Sequence, residues 1–170
     1  MTVVFWISAA VTVISTVMVI TRRNVVHALL YLIVSLLAMA VIFFSLGAPF
    51  VAALEVIVYA GAIMVLFIFV VMMLNLGARA SQQERQWLKP RMMIGPAILA
   101  AILMIELGYA IFAGGGTELI TGEPIGAKQV GMSLFETYLL GVELASILLL
   151  AGLVGAYHLG QRDRSEEGES

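Results

Sequence analysis

The chain has no cysteine among its 170 residues and only four prolines. Without thiolates it can form no disulfide and hold no iron–sulfur cluster by sulfur ligands. Charge is also scarce, with Asp, Glu, Lys and Arg making up 12% of the chain. Two histidines, His27 and His158, lie far apart in sequence, and each falls near the end of an apolar run. Both are expected at the membrane interface, with His158 complementing a helix C-terminus. No nucleophile–base pair, phosphate-binding glycine loop or metal-ligand spacing occurs, so no chemistry is expected from this chain alone. No cofactor, metal or nucleic-acid partner is expected for it.

Apolar sequence fills the space that charge leaves. The hydrophobic fraction is 62% and the mean hydropathy +1.06, which leaves too little polar sequence for a separate soluble domain. The composition predicts an all-α integral membrane protein in the lipid bilayer. Five spans are expected, at about 2–21, 27–46, 50–76, 92–113 and 134–158. Residues 1–160 would form one membrane domain and 161–170 a charged tail. The first run is not expected to be a cleaved signal peptide, because no positive charge precedes it. Asn24 is placed to cap the second helix, Gly47-Ala48-Pro49 to turn the chain, and Asn75-Leu76-Gly77 to stop the third. Residues 78–91 and 114–132 are expected as polar loops. Pro96 falls in the first turn or two of the fourth span, where a missing N–H costs least.

Counting cations orients the spans. Arg22, Arg23, Arg79, Arg85, Lys89, Arg91, Arg162 and Arg164 fall on one side and only Lys128 on the other. The positive-inside rule then puts the N-terminus outside and the C-terminus in the cytoplasm. No internal repeat is visible, which argues against a transporter built from inverted halves.

The third run, P-F-V-A-A-L-E-V-I-V-Y-A-G-A-I-M-V-L-F-I-F-V-V-M-M-L-N, carries the candidate chemistry. Glu55 and Tyr59 are four apart and share a helix face. Ala60-Gly61-Ala62 follows without bulk, and Gly61 marks a place where a helix packs closely, kinks or bulges. Glu55 is expected roughly 8 Å below the external face and Glu143, in the fifth span, roughly 14 Å below it. Glu106 is expected in the outer half of the fourth span, reaching toward the interface, and Glu136 at the interface itself. Ionisable groups inside a membrane are functional candidates by default. Each has a plainer reading: an inter-helix hydrogen bond for Glu55 and Glu143, ordinary packing for Tyr59.

The segments N-V-V-H-A-L-L-Y-L-I-V-S-L-L-A (24–38), L-E-V-I-V-Y-A-G-A-I-M-V-L-F-I-F-V-V-M-M-L-N-L (54–76), Q-E-R-Q-W-L-K-P (83–90) and V-E-L-A-S-I-L-L-L-A-G-L-V (142–154) resemble the J-subunit family of bacterial NADH:quinone oxidoreductase, respiratory complex I. The resemblance extends over about residues 5–160, and E-x-x-x-Y-A-G-A is its most specific part. It implies a non-redox subunit of the bacterial inner membrane, assembled with the other membrane subunits of the complex. FMN, the Fe–S clusters and quinone would belong to partner subunits. It also implies that the third helix switches between an α form and one with a π-bulge. Carried over here, the bulge falls at about Tyr59 to Val65, with Gly61 giving the backbone room. Met64, Val65 and Phe69 would then turn against neighbouring helices and gate a water path. Glu106 and Glu136 stand outside the family pattern. A subunit of a multi-subunit cation/proton antiporter or a membrane-bound hydrogenase is the alternative, since those assemblies use related membrane modules. A purely structural membrane spacer is a third reading.

Overall fold

The structure, a computed structural model, describes residues 2–22, 25–74, 90–112 and 124–160. All regular structure among these is helical. The expected cap at Asn24, the stop at residues 75–77, most of both polar loops and the tail lie outside the described residues. Helix α1 is Thr2–Thr21 and α2 is Val25–Ser45. The third run is one continuous rod in three pieces: α3 (Pro49–Leu54), a π-helical segment (Glu55–Ile63) and α4 (Met64–Leu74). Helix α5 is Pro90–Phe112. Helix α6 (Ala127–Met132), a π turn (Ser133–Thr137) and α7 (Leu139–Gly160) complete the chain.

Among the described residues, four helices are long and apolar enough to cross a membrane: Thr2–Thr21, Val25–Ser45, Pro49–Met73 and Leu139–Gly160. A shorter apolar stretch, Met93–Tyr109, lies within α5. The structure moves several expected boundaries. Helix α2 starts at Val25 and α5 at Pro90, each two residues early. Proline suits a first helical position, where its missing N–H has no partner to lose. With the helix starting there, Pro96 lies inside α5. The expected loop 114–132 is helical over Ala127–Met132. The last span begins at Leu139, not near 134, because the backbone breaks at Tyr138 (φ −109°, ψ 24°).

The described residues up to Gly126 form one compact unit and those from Ala127 on form a second. In the first, α1 and α2 pack as an antiparallel hairpin, and α5 lies against both. Helix α1 buries Val4, Ser8, Val11 and Ser15, a spacing of four, three and four that keeps one face inward. Val4, Val11, Val34, Ala38, Val41 and Leu103 make the apolar core, with Ala38 fully enclosed. Small residues on such a face let membrane helices approach closely, where packing replaces the hydrophobic drive. Gly47 turns the chain after α2 with φ 83°, a conformation that suits glycine. Its carbonyl accepts the Ile125 N–H at 2.8 Å.

Gly95 on α5 faces the hydroxyl end of Tyr31 on α2, and a Cβ there would overlap that hydroxyl. Tyr31 is itself buried. Overpacking of this kind costs about 1–3 kcal/mol. The detergent-extracted protein carrying Gly95→Val is therefore expected to lose its helical circular-dichroism signal at a temperature several degrees lower than wild type. Equal melting of the two would show that Tyr31 moves aside freely. In the second unit, α7 lies exposed along its length, with Leu148 and Leu149 among its bare leucines.

Candidate functional site

The π-helical segment is the first candidate. At its entry the Glu55 N–H still reaches back three and four residues, to the Ala52 and Val51 carbonyls. At its exit the Met64 N–H reaches the Tyr59 carbonyl, five residues back, as well as that of Gly61. The nine residues between are wound in wider turns. Such turns are rare and concentrate at functional sites. The expected position of the bulge, Tyr59 to Val65, is corrected to Glu55–Ile63: it begins four residues earlier (59 − 55) and ends two earlier (65 − 63). The local reason is visible at Gly61. In a π turn the carbonyl five residues back comes close, and a Cβ on residue 61 would sit 3.1 Å from the Val56 oxygen. Glycine leaves that approach open.

The sequence-predicted residues fall at different levels of exposure along this rod. Glu55 is half-buried, and Tyr59 is 52% exposed on the widened turns. Met64 is buried, while Val65 and Phe69 on α4 are exposed. One side of the π segment packs on α2. Its other side presents Ile57, Val58 and Tyr59 outward. Glu143 is exposed on α7, and the Ser146 hydroxyl donates to its backbone carbonyl at 2.7 Å. Glu136 is exposed, as expected of an interfacial acid, and His158 is exposed in the last turn of α7. His27, in the first turn of α2, is buried by its neighbours.

A second polar constellation went unpredicted. Glu106 is buried at 6% exposure, not turned to the interface as expected. The Ser8 hydroxyl of α1 donates to its Oε2 at 2.9 Å, and Oε1 has no partner. Along the same hairpin, Thr12 Oγ1 donates to the Ser8 carbonyl at 2.9 Å and Thr16 Oγ1 to the Thr12 carbonyl at 2.8 Å. Thr16 Oγ1 also lies 2.9 Å from Ser35 Oγ on α2. Polar residues of this sort join membrane helices. The signal that could have revealed it was the serine pair seven apart in α1, Ser8 and Ser15, on the face that valines otherwise occupy. No group of three or more possible metal ligands occurs among the described residues.

The chain matches the family described as NADH-ubiquinone/plastoquinone oxidoreductase chain 6 over residues 15–159. It is 60% identical over 163 residues to NADH-quinone oxidoreductase subunit J of Escherichia coli (strain K12), covering 96% of this chain and 88% of that one. It is 57% identical to the subunit J of Pseudomonas aeruginosa, covering 95% and 98%. The subunit J of Buchnera aphidicola subsp. Acyrthosiphon pisum is 50% identical, with 92% of each chain covered.

Proposed function

Because the chain belongs to the NADH-ubiquinone/plastoquinone oxidoreductase chain 6 family, we propose that it couples quinone reduction to proton translocation through its third helix. It does so as a membrane subunit of a proton-pumping NADH:quinone oxidoreductase in the bacterial inner membrane. The N-terminus lies outside and the C-terminus in the cytoplasm. FMN, the Fe–S clusters and quinone sit in partner subunits, and this chain moves no electrons.

The observation that carries this reading is the π-helical segment Glu55–Ile63 interrupting an otherwise regular membrane-spanning rod. Winding one excess residue back into α geometry turns everything beyond it by about 100°. Ile63 would then take the buried direction that Met64 now holds, and Met64 would swing to where Val65 now faces. Phe69 moves by the same angle. A rod with two discrete windings is the bistable element that long-range coupling requires. Glu55 and Tyr59 lie on the segment that rewinds, so their polar atoms change surroundings with it. Glu143, on a separate helix, is a further polar group for the proton path.

Ring packing and hydroxyl chemistry at Tyr59 separate by substitution. Tyr59→Phe is expected to keep most proton pumping in reconstituted vesicles, and Tyr59→Ala to lose several-fold more. Equal losses would make the hydroxyl the working part. If both variants pumped normally in fully assembled complex, Tyr59 would have no part in coupling.

A further inference from the structure

We infer that Glu106 is a second intramembrane proton-holding site, set in the seam of α1, α2 and α5 and apart from the π segment. The carboxyl is enclosed by this chain itself, so its hydrogen-bond partners come from this chain or from water. One oxygen is served by Ser8, and the other, fully buried, is not served by any described side chain or backbone group. A buried polar atom of this kind calls for a water molecule or a proton of its own. A carboxylic acid fits both requirements. Its carbonyl oxygen accepts from Ser8, and its O–H, on Oε1, is free to donate to a single water.

No charge on the packed helices is placed to hold the ionised form instead. Helix α1 carries no titratable side chain, and α2 carries only His27 and Tyr31. Helix α5 adds Arg91 and Tyr109. Tyr31 lies level with Gly95, eleven residues below Glu106 on α5, or about 16 Å along the axis. His27 is a further turn away, and Arg91 is fifteen residues from Glu106 on the same helix, about 22 Å. Tyr109 is 66% exposed, facing away from the seam. An unpaired carboxylate in such surroundings is far costlier than the neutral acid.

The site lies close to one membrane face. Ser8 is six residues from the start of α1, and Glu106 is six from the end of α5, so both lie about 9 Å from the helix ends. On the inner side, Val11 and Leu103 of the apolar core close the seam. Proton exchange is therefore with the face at which α1 begins. It moves H+ between the carboxyl oxygen and that water, breaking one O–H bond and forming another, and no other bond changes.

Infrared difference spectra of the purified, fully assembled complex test this, comparing wild type with Glu106→Gln and Ser8→Ala. The expected result is the loss of one carboxylic-acid C=O band per complex in Glu106→Gln. In wild type that band shifts downward in D2O. In Ser8→Ala it shifts upward, because a carbonyl without its hydrogen bond vibrates faster. Loss of carboxylate bands in place of the acid band would overturn the proposal, and so would an acid band that ignores D2O. Should Glu106→Gln fail to assemble, Ser8→Ala still decides, since an unchanged acid region in that variant also overturns it.

Discussion

Complex assembled with Gly61→Val is expected to lose proton pumping and NADH:quinone reductase activity together, on the order of tenfold. NADH oxidation by artificial acceptors at the flavin should persist. A Cβ on residue 61 falls 3.1 Å from the Val56 oxygen while the segment is π-wound, and the two γ-carbons of valine add bulk on the widened turns. Overpacking costs about 1–3 kcal/mol. A bias of that size against one of two states is roughly 5- to 150-fold in their ratio, which would starve the cycle of its π form. Gly61→Ala carries the Cβ without the extra carbons, so its loss should be smaller and of the same kind. Vesicle acidification and quinone reduction, measured on the same preparation, check the result. Normal pumping by fully assembled Gly61→Val complex would sink the switching helix.

Ala38→Leu is expected to act at a different stage. Ala38 is fully enclosed between α1, α2 and the core leucine of α5. Three further carbons have nowhere to go, and the penalty is again about 1–3 kcal/mol. Here it falls on the hairpin itself, whose close approach depends on small residues. The full-size NADH-active band on a native gel should fall several-fold, with the remaining assembled complex pumping at a near-normal rate per molecule. Gly61→Val should show the opposite pattern, a full-strength band with poor turnover. If Ala38→Leu assembled at wild-type levels, the hairpin would be looser than its geometry implies.

The apolar runs made the membrane helices legible, because about 20 consecutive apolar residues match the thickness of a bilayer and suit little else. Their ends were harder to place. The start of α5 at Pro90 and the break at Tyr138 depend on local backbone geometry that hydropathy does not register. On the third helix the residues of interest were legible from Glu55, Tyr59 and Gly61, all of which fall within the π segment. Its true extent was not, since which carbonyl accepts which N–H is settled by packing along the rod. Glu106 was expected to reach the interface and is instead buried. Its burial depends on Ser8, ninety-eight residues away in sequence, a pairing that no local pattern contains. The enclosure of His27 was hidden for the same reason: its position at a helix start does not reveal the neighbours that cover it.

The Gly47 turn bears on how the third helix can move. Its carbonyl holds the Ile125 N–H, and just beyond it Ala52 is buried where α3 packs on α2. The rod is thus clamped at its Pro49 end, while the α4 end is bare on most sides, with Val65, Leu66, Phe69, Met72 and Met73 all exposed. A shaft held at one end delivers its whole twist at the other. Rewinding of the π segment would leave the Gly47 corner still and sweep the α4 side chains through an arc. On the proposed rewinding, the moving surface would be the far half of the helix, and the subunit would work as a crank whose output is offered to whatever lies against α4.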